Sequence, residues 1–348
     1  MKKIIQDLNY NQIEELVLSL GEKKFRAKQL YTGIMQGKNI SQISDLSKAF
    51  REKLLQDYED SAIEIEQTFY SSDGTEKYLF RLADGNLIEG VLMRYKYGNT
   101  QCISTQVGCR MGCKFCASTL GGLIRNLSSG EILSQILKVN ALHGGTLQKR
   151  QVTNVVLMGS GEPFDNYTEV ITFLKNVSAE GGICISPRNI SLSTCGLVDK
   201  INKFCQEDIP LNLTISLHNT TDLERARTMP VANKWKISEI LEACNNYFKK
   251  TGRRYIFEYS LIHGENCDKR HAEELIALLK GKPCHVNLIR LNEVKERNLA
   301  AADERAAQAF LATLTKGGLS ATLRRQIGSD IGGACGQLRA GYLSGNSN

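Results

Sequence analysis

The chain has 348 residues, 42% hydrophobic and 23% charged, with five prolines and no low-complexity run; this is the composition of a folded protein of one or two domains and excludes large-scale disorder. Forty-four Lys and Arg against 37 Asp and Glu give a net charge of +7, which suits a polyanionic partner without requiring one. Eleven cysteines, an odd number scattered through a chain of this size, exclude a small disulfide scaffold.

Lys2 and Lys3 open the chain, but Asp7, Glu14 and Glu15 interrupt any apolar run behind them, so no secretory signal is expected. No window reaches the roughly 18 apolar residues of a membrane span. The expectation is a soluble cytoplasmic protein with reduced thiols and no membrane contact. Residues 8–60 follow a helical period through Ile13, Leu16, Val17 and Leu20, then Phe25, Leu30, Ile34 and Met35. A third helix carries Phe50, Leu54 and Leu55, with Asp45 or Ser47 as its cap. Residues 62–94 change to a two-residue period: Ile63, Ile65, Thr68 and Tyr70; Tyr78, Phe80 and Leu82; Leu87, Val91 and Met93. Asp73-Gly74 and Asp84-Gly85 supply the turns.

From residue 100 short β-rich runs alternate with amphipathic ones. The predicted strands are Cys102–Val107, Val152–Met158, Asn189–Ser193, Leu211–Leu217, Tyr255–Leu261 and His285–Ile289. The predicted helices include Gly130–Leu142, Tyr167–Val177, Ile237–Lys249 and Lys269–Leu279. Six strand–helix units in series define an α/β protein with a parallel sheet, either an open partial barrel or a doubly wound sheet. In both, loops at the C-terminal ends of the strands build the site.

The first of those loops is Cys109-Arg110-Met111-Gly112-Cys113-Lys114-Phe115-Cys116. Structural zinc takes four ligands, usually as two Cys pairs, and this cluster stops at three. Three thiolates suit a four-iron cluster with one iron left open, each thiolate on its own iron. The alternative is zinc completed by a distant Cys or His.

At these residues the chain resembles the radical S-adenosylmethionine (SAM) superfamily. That resemblance implies a partial (β/α)6 barrel and a [4Fe-4S] cluster on Cys109, Cys113 and Cys116. The open iron there chelates SAM, and the reduced cluster cleaves it to methionine and a 5′-deoxyadenosyl radical. Five further blocks resemble one branch, the RlmN-type dual-specificity rRNA/tRNA adenine-C2 methyltransferases. They are Ser104-Thr105-Gln106-Val107-Gly108-Cys109, Met158-Gly159-Ser160-Gly161-Glu162-Pro163, Ser216-Leu217-His218, His285-Val286-Asn287-Leu288-Ile289 and Ala334-Cys335-Gly336-Gln337-Leu338. The likeness spans essentially the whole chain, including Phe25-Arg26-Ala27-Lys28-Gln29.

The resemblance implies a division into a helical RNA-binding accessory domain (1–61), a β-hairpin extension (62–94), a radical SAM core (95–328) and a C-terminal segment (329–348). It implies SAM contacts at Gly161, Glu162, Ser193, Ser216, Leu217, His218 and Asn292. Cys335 would carry the methyl group as S-methylcysteine, Cys102 would resolve the protein–RNA adduct through a transient disulfide with Cys335, and Glu89 would accept the C2 proton. Glu89 read by itself is an exposed strand carboxylate. The implied reaction consumes two SAM per methyl placed on C2 of adenine 2503 in 23S rRNA and of adenine 37 in tRNAs. The implied partners are these RNAs and a low-potential electron donor such as flavodoxin or ferredoxin, with a monomer expected.

The chain departs from the family pattern in places. Gly332-Gly333 stands where Asp-Ala is common, Cys195 replaces a usual serine, and Glu293 follows Asn292 where many members have proline. Arg290 stands where many members carry proline and where the related C8-methylating enzymes can carry arginine, whereas Gly161-Glu162-Pro163 resembles the C2 branch better than the C8 branch. A non-catalytic zinc or iron–sulfur RNA-binding module is the reading from a different class. A target base must leave its stack to be modified. The basic candidates for gripping RNA are Lys23, Lys24, Arg26 and Lys28, with Arg253-Arg254 and Arg324-Arg325 elsewhere.

Overall fold

In the computed structural model, which describes residues 2–338 and leaves Met1 and residues 339–348 of the expected C-terminal segment outside the described residues, the chain opens with helices α1 (Tyr10–Ser19), α2 (Phe25–Met35) and α3 (Lys48–Asp57). Asn9 caps α1 reciprocally: its side chain accepts from the Gln12 N–H, and the Gln12 side chain accepts from the Asn9 N–H, satisfying two donors that the first turn leaves free. Ser47, not Asp45, caps α3, accepting from the Phe50 N–H at 3.3 Å. Ile13, Val17, Leu30, Ile34, Phe50 and Leu54 are buried as their period predicts.

Strands β1 (Ile63–Tyr70), β2 (Glu76–Leu82) and β3 (Leu87–Tyr95) form an antiparallel meander, and β3 pairs in turn with β4 (Gly98–Cys102) from Val91↔Cys102 to Tyr95↔Gly98. The β extension is therefore continuous with the main sheet. The first parallel strand ends at Cys102 rather than at Val107. Beyond it the Ser104 N–H is taken by the Gln135 side chain at 2.9 Å, and the chain turns out into a separate pair, β5 (Gln106–Gly108) with β6 (Leu123–Asn126). There follow α4 (Ser129–Leu142), β7 (Val152–Leu157), α5 (Tyr167–Ser178), β8 (Ile190–Thr194), α6 (Val198–Phe204), β9 (Asn212–Ser216), α7 (Asp222–Thr228), α8 (Ile237–Thr251), β10 (Tyr255–Leu261), α9 (Lys269–Leu279), β11 (Cys284–Arg290), α10 (Glu304–Lys316) and β12 (Ala321–Leu323).

The parallel strands lie in the order β4-β7-β8-β9-β10-β11-β12. Each sits beside the next in the chain, so the sheet has no reversal point. This decides between the two expected architectures, because a doubly wound sheet reverses its order at a switch point; the molecule is an open partial barrel. The six expected strands are joined by a seventh, β12, whose three residues are too few to show a period. Helix α7 also escaped the pattern: within its seven residues Asp222, Glu224, Arg225 and Arg227 leave no apolar stripe. Alternation does the rest. Ile190 and Leu192, Leu213 and Ile215, and Val286 and Leu288 pack outward in one core with helix residues such as Phe173, Leu275 and Phe310. Their neighbours Ser193, Ser216 and Glu258 line the inner cavity.

Candidate active site

The three-cysteine loop leaves the barrel through Gly108, held at φ 79°; a Cβ there would collide with the Gly122 carbonyl across the β5–β6 pair, so only glycine fits. The single proton of Thr119 Oγ1 is shared between the carbonyls of Cys113 (3.0 Å) and Cys116 (2.9 Å), and the Lys114 N–H donates to the Thr228 carbonyl at 2.9 Å. All three thiols face a cavity of about 150 Å³ at the C-terminal ends of the strands. Burial pushes Cys109 up to about 12 and raises Cys113 and Cys116 as well.

Among the described residues no three His, Cys, Asp or Glu side chains converge on a single-ion site. A second observation concerns charge. Arg225 is fully buried; its Nε donates to the Leu217 carbonyl (3.1 Å) and its Nη2 to the carbonyls of Cys195 (2.6 Å) and Ser216 (3.1 Å). Its Nη1 has no hydrogen-bond partner among the described residues. Burial lowers its pKa, and the sulfurs of Cys195 and Cys113 are the groups that most favour its charge. A buried cation short of a counter-ion beside Cys113 suits an anionic thiolate-bound cluster on this loop.

The cavity wall also holds six of the seven expected SAM contacts: Gly161, Glu162, Ser193, Ser216, His218 and Asn292. Gly161 has φ 109°, and a Cβ would lie 2.6 Å from the Gln106 Cβ, which explains glycine at this turn. The Glu162 carboxylate accepts from the Phe164 N–H (3.1 Å) and the Cys195 N–H (2.8 Å); burial raises its pKa against those bonds. So fixed, it can still accept from a ligand ammonium or hydroxyl. His218 sits at φ 58°, a region that side chains seldom enter. Its Nδ1 accepts from the Ser260 N–H at 2.9 Å, and burial lowers its pKa to about 3; the ring is neutral with its proton on Nε2. Phe115 packs edge-on against it at 4.8 Å. Leu217 departs from expectation. Its side chain is in the core and off the wall, its N–H donates to the Glu258 carbonyl, and its carbonyl is held by Arg225. Asn292 faces the cavity, but its Nδ2 donates to the Cys335 carbonyl at 3.0 Å.

Cys335 is exposed and lies between this cavity and a smaller adjoining pocket of about 40 Å³; Cys102 faces only the second. Burial, with the Cys335 sulfur nearby, pushes Cys102 up to about 12. Arg324 lines both spaces and reaches Glu258 Oε2 at 3.5 Å, and the Cys335 sulfur is its strongest electrostatic partner. Glu89 is not an exposed strand carboxylate. It is buried and paired with Lys77 (Nζ–Oε1 3.1 Å), two residues along β3 from Val91, a wall residue of the second pocket. Arg225, Glu258 and Arg324 are the site groups that sequence reasoning did not select. At Glu258 the signal is a charge inside an otherwise apolar strand; Arg324, expected among the residues that grip RNA, instead lines both pockets.

Of the other basic candidates, Lys24 pairs with Glu14 at 2.8 Å, and Arg26 donates to the Asp45 carbonyl at 2.7 Å and stacks over the exposed Phe25 ring at 5.0 Å. Lys23 and Lys28 are exposed. Arg290 donates to the Ala302 carbonyl and pairs with Glu304 at 3.1 Å, a tie to α10 rather than to the cavity. No helix is long and apolar enough to cross a membrane among the described residues.

An open parallel barrel whose first loop turns three thiols into the mouth defines a radical SAM protein, and the Radical SAM superfamily model matches residues 103–277. The "Ribosomal RNA large subunit methyltransferase N-terminal domain" model matches residues 5–59. The chain is 49% identical over 346 residues to the "probable dual-specificity RNA methyltransferase RlmN" of Clostridium perfringens strain 13, covering 99% of this chain and 98% of the relative. It is 51% identical over 336 residues to the protein of the same description from Clostridium botulinum strain Alaska E43, covering 95% of each. Among solved structures it is similar to a radical SAM methyltransferase from Sphaerobacter thermophilus, at TM-score 0.92 and 36% identity over 96% of this chain and 98% of that one. The chain belongs to the RlmN family of dual-specificity RNA methyltransferases. Membership implies SAM and a four-iron cluster, which the thiol loop and Arg225 fit.

Proposed function

We propose that the protein methylates C2 of adenine 2503 in 23S rRNA and of adenine 37 in tRNAs, in the cytoplasm and as a monomer, drawing electrons from a low-potential donor such as flavodoxin or ferredoxin. The observation that carries this reading is the placement of two lone cysteines: Cys335 borders the thiol-loop cavity and the second pocket, and Cys102 borders the second pocket alone. Cys109, Cys113 and Cys116 would hold the cluster, which would supply the electron for reductive cleavage of SAM. Glu162 and the Nε2–H of His218 orient SAM, with Gly161, Ser193, Ser216 and Asn292 completing its seat and Leu217 acting through its backbone.

Cys335 takes a methyl group from one SAM by displacement. The second SAM would supply the deoxyadenosyl radical that takes a hydrogen from that methyl; the carbon radical then bonds to C2, and the unpaired electron left on the adduct would pass back to the cluster held by Cys109, Cys113 and Cys116 as the C2 proton departs. Glu89, held by Lys77, accepts the C2 proton. The Cys102 thiolate attacks the Cys335 sulfur; the S–S bond forms, the carbon–sulfur bond breaks, and the departing carbon takes a proton to leave methyladenine. Helices α1–α3, with exposed Lys23, Lys28 and Phe25, hold folded RNA through phosphate contact and stacking.

The test separates the two cysteines. Cys335→Ala should keep cluster and SAM binding and transfer no methyl. Cys102→Ala should stall as protein crosslinked to RNA through Cys335, visible as a shifted band and as a modified Cys335 peptide by mass spectrometry. A Cys102→Ala enzyme that turns over normally, or a crosslink persisting in the Cys102→Ala/Cys335→Ala double variant, would overturn this assignment.

A further inference from the structure

The segment that carries Cys335 is pinned on both sides. Downstream, Asn292 Nδ2 holds the Cys335 carbonyl (3.0 Å), the Ala117 N–H holds the Gly336 carbonyl (2.7 Å) and Ser118 Oγ holds the Leu338 carbonyl (2.7 Å). Those bonds tie it to the thiol loop and the cavity. Upstream, the anchor is the β1–β2 turn. Ser71 Oγ donates to Asp330 Oδ1 at 2.6 Å, and the Ser72 N–H and Oγ donate to Asp330 Oδ2 at 3.1 and 3.3 Å. The Gly328 N–H donates to Asp73 Oδ2 at 2.9 Å. Residues 328–333 are closed on themselves by the Gly333 N–H to the Gly328 carbonyl at 2.8 Å, with Gly332 at φ 59°. A Cβ on Gly328 would lie 3.0 Å from Thr75 Cγ2, so this ring lies tight against the turn.

The hydrogen bonds drawn by Asp330 and Asp73 hold both carboxyls below the usual range, Asp73 at about 2; the anchor is ionised and intact at working pH. The last ring residue, Gly333, stands two positions before Cys335. A sulfur that must reach a SAM methyl in one space and a base in the next depends on where that ring is fixed, since misplacement by about 1 Å can cost on the order of a hundredfold.

We infer that the β1–β2 turn is a clasp for the methyl-carrier segment, with Ser71, Ser72, Asp73 and Asp330 as positioning residues of the methyl transfer. The clasp touches no substrate and acts only through the path of residues 328–335. Its catalytic meaning rests on the reading given under Proposed function; its structural meaning does not.

The experiment uses the full-length chain as Asp330→Ala, Asp73→Ala and Ser71→Ala/Ser72→Ala variants. In the cluster-free protein, the maleimide alkylation rate of Cys335 is read by peptide mass spectrometry against exposed Cys184 as internal reference. All three variants should raise the Cys335-to-Cys184 ratio about threefold or more, because a freed segment samples more open positions. In the cluster-loaded protein, iron content and SAM affinity should stay at wild-type values. The rate of Cys335 methylation should fall about tenfold, and the 5′-deoxyadenosine formed per methyladenine should rise. A general folding defect would lower iron content and SAM affinity too; an unchanged product ratio with slower cleavage alone would overturn the positioning role. Wild-type alkylation ratios in all three variants would overturn the clasp itself. A wild-type enzyme that never methylates Cys335 would sink the functional reading and leave the alkylation arm to judge the clasp.

Discussion

Cys102 is the residue whose environment is most at odds with its proposed task. It must attack as a thiolate, yet burial pushes its thiol up to about 12, so only a small fraction is ionised at neutral pH. Below that value the thiolate fraction grows about tenfold per pH unit. The protein–RNA adduct of the wild-type enzyme should therefore decay faster as pH rises between about 6 and 9; rapid quench and gel analysis of the crosslinked band measures it, and a flat profile would assign resolution to another group. The cysteines of the loop make a separate prediction. Cys109→Ala, Cys113→Ala or Cys116→Ala should each lose the cluster, read as iron per chain, while Cys184→Ala and Cys244→Ala should keep it. Those roles were legible because the spacing lies within one loop and needs no tertiary knowledge. Glu89 was not: alternation marks a face of β3, but only the packing of Lys77 shows that the face is buried.

At the level of elements, Arg225 ties the ends of β8 and β9 to α7 through three carbonyls. Arg225→Leu strands those acceptors and removes the cation beside Cys113; it should cost about 3 kcal/mol by thermal unfolding and lower the iron retained after reconstitution. Arg225→Lys keeps a charge but loses the fork, and should fall between the two. An Arg225→Leu protein with wild-type stability and iron content would remove the residue from any account of the site. No pattern could have found it, since a short, highly charged helix reads as surface. The strands are the opposite case. β7 to β11 appear within two residues of their predicted limits because each has an outward apolar row, whereas β4 was misplaced: its end is set by the Gln135 amide, distant in sequence.

Across the whole molecule, the N-terminal helices are fastened to the barrel through Asp7, whose Oδ1 accepts from the Gly130 N–H at 2.6 Å and Ser129 Oγ at 3.1 Å at the start of α4. Asp7→Ala should cost about 1–2 kcal/mol and expose residues 1–61 first, which hydrogen exchange would show as lost protection confined to that segment. Burial raises the Asp7 pKa above its value of 3.8 in the open chain. The folded state thus holds this proton more tightly, and its contribution grows as pH falls through the raised value; mild acid should not detach the helices. If exchange in 1–61 accelerates between about pH 6 and 5 in excess of its intrinsic pH dependence, the fastening lies elsewhere. This contact and the Ser71–Asp330 bond, 259 residues apart in the chain, are the kind of information that a sequence holds only jointly: neither partner is unusual until the other is beside it.

The unequal burial of the two lone sulfurs also governs how the molecule resets. Once the proposed disulfide has formed, an outside reductant can reach the exposed Cys335 sulfur but not Cys102, which is 7% exposed. Cys102 is then the leaving group, and a thiol held near 12 departs slowly in exchange. Under the proposed mechanism the expelled sulfur is a buried one, and each turnover would end in a disulfide form that only an external dithiol can release.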